Sequence, residues 1–422
     1  MKIKVQKTTL ETALSKSIKK STIKKPSLLF STLIRVLAVG ELKAASFSYT
    51  IDNKKILKEP CLILMNHSCF LDLKIASKIL YPNKYFIVTT NDAFVGKEWL
   101  MEKIGCIATN KYVSSLDTIS NINYCLNHLN TSVLMFPEAG YSFDGTSTIL
   151  PKRLGLLIKK LNVPLVTIIT DGAYLHQPLY NNLKMRKTRV TATVKCLLTK
   201  EQVKQKSVSE IDELINNEFS FDAFKSQAEN GVIISDKTRA EGLERVLYKC
   251  PHCLAEGAMK GENEYITCSK CGAKYELAEN GQIKGVGFNE EFNHIPTWYA
   301  WQREQVANEI KDKQEFYNLD VDVLVLSDHK ALYSVGSGVL SSGANGFTLL
   351  GESGNIIFTL PPASSHSLNV DFYWYELGDV ICIGDKDKLF YCIPKTPYPV
   401  AKARLIAEEQ YKQIKLAKNK DA

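Results

Sequence analysis

A histidine and an aspartate five positions apart, His67 and Asp72, are the first residues of this 422-residue chain whose types and spacing indicate chemistry. They follow the apolar run Cys61-Leu62-Ile63-Leu64-Met65, which predicts a short buried strand that gives way to a helix. Sites in open α/β sheets are built at the carboxyl ends of strands. An imidazole held by a carboxylate can act there as a general base. The alternative interpretation is a capping pair at the strand–helix junction.

A second polar loop follows another apolar stretch, Ser132-Val133-Leu134-Met135-Phe136. Pro137 cannot donate to a sheet ladder and so predicts the end of that strand. Glu138 comes next, and Gly140 would let the backbone approach a ligand closely. In a parallel sheet both loops emerge at the same edge, so Glu138 is predicted to meet the His67 loop, although a strand-end carboxylate is often only structural.

The reaction suited to this set is an acyl transfer, in which the base takes the proton of a hydroxyl that attacks an activated acyl group. The chain has no Gly-x-Ser-x-Gly elbow, which argues against a covalent intermediate of the hydrolase type. Direct transfer from donor to acceptor is therefore the better interpretation.

Four cysteines form a separate motif, Cys250-x-x-Cys253 and Cys268-x-x-Cys271, with fourteen residues between the two pairs. This spacing is typical of four-cysteine zinc sites, in which four thiolates complete a tetrahedron around Zn²⁺. Such a site has no open position, so the zinc would be structural. Redox and iron interpretations stay open.

The elements that position these residues can be read from the apolar pattern. Strands are predicted at 47–51, 61–65, 85–89, 132–136, 165–170 and 189–197, and helices between them at 70–80, 94–104, 115–130 and 149–161. This alternation predicts a mainly parallel sheet covered by helices. From about 320 to 395 the short β runs are separated by Gly, Ser and Asp turns, which predicts an antiparallel β domain, and 398–418 predicts a closing helix.

At this point the residues carry a family resemblance. His67, four residues and Asp72 resemble the first motif of the glycerolipid acyltransferases of the 1-acylglycerol-3-phosphate type. Phe136-Pro137-Glu138 resembles their third motif, Gly105–Lys111 lies where the second would be, and Val163-Pro164-Leu165-Val166 resembles the fourth. The four segments follow in the family's order between residues 60 and 170.

The resemblance implies a glycerolipid O-acyltransferase with His67 as base, Asp72 orienting it, and Glu138, Gly140 and Lys111 binding substrate. It implies an acyl-CoA or acyl-carrier-protein donor and a lysophospholipid acceptor such as 1-acylglycerol-3-phosphate. Two departures bear on the acceptor. Lys111 stands where the second motif commonly has arginine, and no arginine follows Glu138. Because arginine grips phosphate with a bidentate fork and lysine does not, an acceptor without a phosphate stays open.

The predicted fold is an α/β acyltransferase domain with a mainly parallel sheet, then a small zinc ribbon and a C-terminal antiparallel β domain. The predicted segments are a basic and amphipathic membrane-associating segment (1–45), the acyltransferase domain (46–200), a helical connector (201–249), the zinc ribbon (250–275), a helical segment (276–318) and the β-rich domain with its C-terminal helix (319–422).

The first 26 residues carry eight lysines (2, 4, 7, 16, 19, 20, 24 and 25) against one acid, Glu11. The apolar run that begins at Leu28 is too short and too interrupted to span a bilayer, which takes about 20 apolar residues. A basic lead before an amphipathic helix suits an element in the membrane interface, although a helix docked on the core fits equally. Together with eleven cysteines and no secretory signal, this predicts a peripheral or monotopic protein on the cytoplasmic face of a membrane.

The rival interpretation is a nucleic-acid or protein interaction module without enzymatic activity, which would rest on the ribbon and the net charge of +8. The ribbon's loop, Leu254–Thr267, holds three glutamates and one lysine, which is a poor surface for phosphates. No nucleic-acid partner is therefore expected.

Overall fold

The computed structural model describes residues 2–18, 23–113 and 115–420, the last three without their side chains. Lys19 and Lys20 of the basic segment lie outside the described residues. The chain begins with strand β1 (Val5–Lys7) and helix α1 (Leu10–Leu14), followed by the long helix α2 (Leu28–Ala44). No described helix combines the length and the apolar character needed to cross a bilayer.

A seven-stranded sheet forms the centre of the α/β domain. Its strands are β2 (Ser48–Ile51), β3 (Leu62–Met65), β4 (Tyr85–Thr90), β5 (Cys106–Thr109), β6 (Ser132–Met135), β7 (Leu165–Asp171) and β8 (Thr191–Leu198). Their order is β2-β8-β7-β3-β6-β4-β5. The five strands from β7 to β5 are parallel, while β8 runs antiparallel to β7 and carries β2 beside it. The predicted mainly parallel sheet is confirmed.

Both faces of this sheet are covered, which explains why β3 is apolar at every position. Ile63 and Met65 pack toward α2 and α3 (Leu71–Leu80), while Leu62 and Leu64 pack toward the opposite face. The helices of the domain after α3 are α4 (Glu98–Ile104), α5 (Leu116–Asn123), α6 (Leu154–Leu161), α7 (Ala173–His176), α8 (Lys200–Gln205), α9 (Val208–Glu218) and α10 (Ala223–Glu229).

Several predicted boundaries differ from the structure. The helix predicted at 149–161 begins only at Leu154, and the one predicted at 115–130 ends at Asn123 and continues as a π-helical turn. Residues 201–229, predicted as part of a connector, place Val203, Ile211 and Ile215 in the core under the sheet. They are therefore packed elements of the α/β domain, because their apolar stripe has a surface to bury against.

The cysteine ribbon (residues 249–285) has a four-stranded antiparallel sheet of order β12-β11-β10-β9. Its strands are β9 (Met259–Glu262), β10 (Tyr265–Cys268), β11 (Lys274–Leu277) and β12 (Ile283–Gly285). The ribbon extends ten residues past the predicted end at 275. Helix α11 (Ile295–Asp312) follows, with Pro296 in its first turn, where the absent N–H is not missed.

The C-terminal β domain contains a single sheet of order β16-β15-β14-β13-β19-β18-β17. Its strands are β13 (Glu315–Leu326), β14 (Leu332–Gly343), β15 (Gly346–Gly351), β16 (Ile356–Leu360), β17 (Asn369–Trp374), β18 (Gly378–Gly384) and β19 (Leu389–Pro394). These seven strands pair antiparallel, as predicted. An eighth strand comes from the start of the chain, since β1 pairs parallel with β14 and aligns Val5 with Leu332. That setting differs from the single membrane-associating segment predicted for 1–45.

Helix α12 (Val400–Lys420) closes the chain, and its first turns are buried between the modules. Val400, Leu405 and Ile406 belong to the same core cluster as the ribbon and the β domain. Lys402 forms ion pairs with Glu256 of the ribbon and Glu309 of α11, at 2.6 and 2.9 Å. The helix thereby connects the ribbon to the α/β domain, which it reaches through Arg404.

Candidate active site

His67 and Asp72 come together at the carboxyl end of β3. The Nδ1 atom of His67 lies 3.0 Å from Oδ2 of Asp72, and the same oxygen accepts the backbone N–H groups of Ser68 and Cys69 at 2.7 and 3.0 Å. Asp72 is in the first turn of α3 and fully buried, so its carboxylate also caps that helix. The two alternative predictions for this pair, base and cap, are therefore compatible in one arrangement.

The carboxylate determines the tautomer of His67. An ionised Asp72 can only accept, so Nδ1 carries the proton and Nε2 has a free lone pair. Among the described residues no hydrogen bond to Nε2 is formed. Burial lowers the pKa of His67 below its ordinary 6.5, against the opposing effect of Asp72. The imidazole is thus held neutral near pH 7, as a general base must be.

Aromatic rings fix the plane of the imidazole. His67 lies between Phe136 and Tyr141, whose ring centroids are 4.0 and 4.2 Å away. Phe136 ends the strand predicted as the third motif, and Tyr141 follows in the same loop. Asn66 adds a tie to the neighbouring strand, because its side-chain amide exchanges hydrogen bonds with the backbone of Thr170. The base is thereby oriented by β3, β6 and β7 together.

Glu138 joins the two strand-end loops. One carboxylate oxygen accepts the backbone N–H of His67 at 2.7 Å, and the other accepts that of Thr148 at 2.9 Å. The side chain is only 1% exposed, and burial raises its pKa to about 7 despite these two donors. This geometry gives Glu138 a positioning role in the loops, and its predicted contact with the acceptor stays a prediction.

Gly140 and Lys111 complete the set predicted from the sequence. A side chain at position 140 would meet the hydroxyl of Tyr112 at 3.2 Å, so the glycine permits tight packing of the two loops. Lys111 follows β5 and is close enough to His67 to oppose its protonation. Its amine lies 3.9 Å from Oδ2 of Asp371. The structure thus brings all five predicted residues to one edge of the sheet.

Two residues at this edge come from the C-terminal part of the chain, and sequence reasoning missed both. Asp371 belongs to β17 and faces Lys111. Arg404 belongs to α12 and donates to the hydroxyl of Tyr112 at 2.9 Å and to the carbonyl of Tyr141 at 3.5 Å. Glu408 accepts from the same guanidinium at 3.2 Å. No local pattern could have found them, because they lie more than 230 residues beyond the loops that they contact.

The four cysteines predicted as metal ligands form a second cluster in the cysteine ribbon. Their four sulfur atoms all lie within 4.8 Å of one another. The Sγ atoms of Cys250 and Cys271 are 3.8 Å apart, and those of Cys253 and Cys268 are 3.7 Å apart. Tetrahedral zinc with Zn–S bonds of about 2.3 Å requires S···S separations of about 3.8 Å. The donor set and its spacing therefore fit a closed four-thiolate metal site.

Comparison with known proteins agrees with the site geometry. Residues 47–171 match the family model described as Acyltransferase, which supports an acyltransferase domain in this part of the chain. The structures that resemble it include the crystal structure of the 1-acyl-sn-glycerophosphate (LPA) acyltransferase PlsC from Thermotoga maritima. The identity is 13%, the match covers 45% of this chain and 78% of that chain, and the TM-score is 0.33. A search of curated proteins gave no match.

Proposed function

We propose that this protein transfers a fatty acyl group from a thioester donor to a hydroxyl group of a lysophospholipid. The observation that carries the proposal is the His67–Asp72 pair. It holds a neutral imidazole with a free Nε2 at the carboxyl end of a central strand, inside the segment that matches the acyltransferases. Both the family match and the pair's geometry support this assignment over a binding module without activity.

The reaction is a direct displacement at the thioester carbonyl. His67 Nε2 takes the proton of the acceptor hydroxyl as its oxygen attacks the acyl carbon. Asp72 stabilises the imidazolium that forms, at a distance of 3.0 Å from Nδ1. When the C–S bond breaks, the imidazolium returns the proton to the departing thiolate. The ester and the free thiol are the products, and the donor is an acyl-CoA or an acyl-carrier protein.

The acceptor class follows the resemblance of the sequence motifs, in which 1-acylglycerol-3-phosphate is the representative substrate. Glu138 supports this site from behind by holding the His67 and Thr148 backbones. Because the loops bearing His67, Lys111 and Gly140 share one edge, an acceptor bound there would present its hydroxyl to the base.

The enzyme would work at a membrane surface, on its cytoplasmic side. Helix α2 exposes a row of apolar side chains, of which Leu29, Val36 and Leu37 are 74, 61 and 67% exposed. Trp99 is 62% exposed and packs edge-to-face on Phe30 of the same helix, with centroids 5.5 Å apart. Apolar leucines and a tryptophan beside a lysine-rich segment are the composition of interfacial helices.

The cysteine ribbon would hold one structural zinc ion through Cys250, Cys253, Cys268 and Cys271. When bound, the ion would cross-link the two knuckles and supply no catalytic step, because four thiolates leave no open position. The fit of the sulfur spacing supports zinc over a reactive dithiol pair.

An acyl-transfer assay tests the proposed function. The full-length protein is incubated with vesicles, acyl-CoA and a series of lysophospholipids, and the diacyl products are resolved by mass spectrometry. The wild type should form a diacyl lipid, and His67→Ala should lose about 10²–10⁴-fold in rate, which is the usual contribution of a general base. The exposed His128 provides the matched control, and His128→Ala should keep full activity. Full activity in His67→Ala would refute the mechanism.

A further inference from the structure

The amine of Lys111 is already opposed by an acid from another domain. Lys111 lies just beyond β5 at the catalytic edge, and Asp371 reaches it from β17 of the C-terminal β domain, with 3.9 Å between Nζ and Oδ2. Both side chains are largely buried, at 16 and 15% exposure. The cation that the motifs would offer to an acceptor phosphate is therefore shared with a fixed carboxylate.

Asp371 is held in place by regular structure. Its backbone pairs with Val380 of β18, and its own Oδ1 accepts the N–H of Phe372 at 2.9 Å. The ring of Phe372 stacks on Phe143, which belongs to the loop after Glu138, with centroids 4.4 Å apart. The carboxylate is thus presented to the catalytic edge by a strand that is packed against it.

The other charges at this edge do not restore a site for a dianion. Arg404, the arginine nearest to the third motif's loop, donates to the Tyr112 hydroxyl and the Tyr141 carbonyl and is paired with Glu408. Asp92, at the end of β4, is buried and raises the pKa of Asp371. A phosphate monoester placed beside Lys111 would face at least one uncancelled carboxylate, and like charges brought together in a partly buried site repel strongly.

We infer that Asp371 is a specificity-determining residue that excludes a phosphate monoester from the acceptor site, so that the accepted lysophospholipid has a head group without net negative charge. A zwitterionic phosphodiester fits this description, since its single phosphate charge meets Lys111 while its cationic group balances Asp371. This inference rests on the proposed acyl transfer and narrows its acceptor.

The test compares two acceptors with the same acyl chain, 1-acylglycerol-3-phosphate and 1-acylglycerol-3-phosphocholine, in the same neutral vesicles. The wild type should prefer the phosphocholine lipid. Asp371→Asn keeps the side-chain shape and the acceptor for Phe372 N–H but removes the charge. It should raise the ratio of kcat/KM for the monoester over the diester by at least about tenfold, equivalent to about 1.4 kcal/mol. Adding Lys111→Met should reverse that gain.

The control is Asp322→Asn, which removes a carboxylate from the same sheet where it is exposed and paired with Lys395 at 3.7 Å. Its ratio should equal that of the wild type. A wild type that prefers the monoester, or an unchanged ratio in Asp371→Asn, would overturn the inference while leaving acyl transfer intact.

A binding measurement separates this inference from the proposed function. Inorganic phosphate is titrated into the wild type and Asp371→Asn, and its affinity is followed by calorimetry. About tenfold tighter binding to the variant supports the role of Asp371 even if no lipid is acylated, in which case only the proposed reaction fails. Equal affinities would contradict the role of Asp371, whatever the activity assay gives.

Discussion

Replacing Asp72 by asparagine should separate the charge of the carboxylate from its geometry. In the structure one oxygen, Oδ2, accepts all three hydrogen bonds, from His67 Nδ1, Ser68 N and Cys69 N. The other oxygen, Oδ1, is buried and has no partner among the described residues. An asparagine would therefore place its carbonyl at the Oδ2 position, where three donors converge, and its NH₂ group at the Oδ1 position. The tautomer and orientation of His67 would be kept.

The expected magnitude follows from the loss of one charge. The centres of an imidazolium and a carboxylate bonded at 3.0 Å are about 4 Å apart, where the attraction is about 4 kcal/mol at an effective dielectric constant of 20. Since about 1.4 kcal/mol is a factor of ten, the upper bound is about 10³-fold. We therefore expect kcat to fall by about 10²–10³-fold in Asp72→Asn. Asp72→Ala should lose about 10⁴-fold, because it also frees the ring and leaves two buried backbone N–H groups without an acceptor.

The assay is the pH dependence of kcat/KM for acyl transfer between pH 5 and 9. Activity requires a neutral His67, so the rate falls as the pH drops through the pKa of His67. Because Asp72 raises that pKa, removing its charge should move the acid limb to lower pH in Asp72→Asn. Equal rates for the asparagine and alanine variants, or an acid limb that moves to higher pH, would refute this description of the pair. Asp322→Asn serves again as the control for loss of a carboxylate.

The two remaining predictions concern the membrane surface and the metal. Leu37→Ser should weaken binding to anionic vesicles by roughly 10- to 100-fold in a sedimentation assay, because burying a leucine contributes about 1.5–3 kcal/mol. The equally exposed Ile356, on the edge strand β16, should tolerate Ile356→Ser without change, and equal binding of all three proteins would exclude α2 from the interface. For the metal, elemental analysis should find one zinc per wild-type chain. Cys250→Ser should lose the zinc and lower the melting temperature, whereas Cys196→Ser should keep both, and a wild type without zinc would contradict the site.

Local patterns in the sequence were sufficient for the parts of the fold whose signals are local. The β3 and β6 strands were found because both are short apolar runs ended by a polar loop, and their carboxyl ends meet as the parallel rule requires. Strand β5 (Cys106–Thr109) was missed because its four residues are too few to show a period. Strand β1 was missed because Val5–Lys7 gains its ladder only from β14, more than 320 residues away.

The candidate site divides along the same line. His67 and Asp72 are close in sequence, and the spacing of five already allowed the imidazole to reach a carboxylate in the first turn of α3. The cysteine cluster was equally accessible, since two knuckles of fixed spacing define it. Asp371 and Arg404 were not accessible, because each reaches the edge only after the β domain has docked. Gly140 illustrates an intermediate case, in which the glycine was identified but its neighbour, the hydroxyl of Tyr112, was not.

The pairing of β1 with β14 has a consequence for the order of events during biosynthesis. The ribosome makes Val5–Lys7 at the very start, yet their partners Leu332–Ser334 emerge only after some three quarters of the chain. At roughly 5–20 residues per second, the first strand waits tens of seconds with its backbone unsatisfied. Throughout that interval the lysine-rich leader and helix α2 are already outside the ribosome. The nascent chain can therefore meet a lipid surface before its last domain exists, and the final sheet closes only when the oldest segment of the polypeptide returns to it.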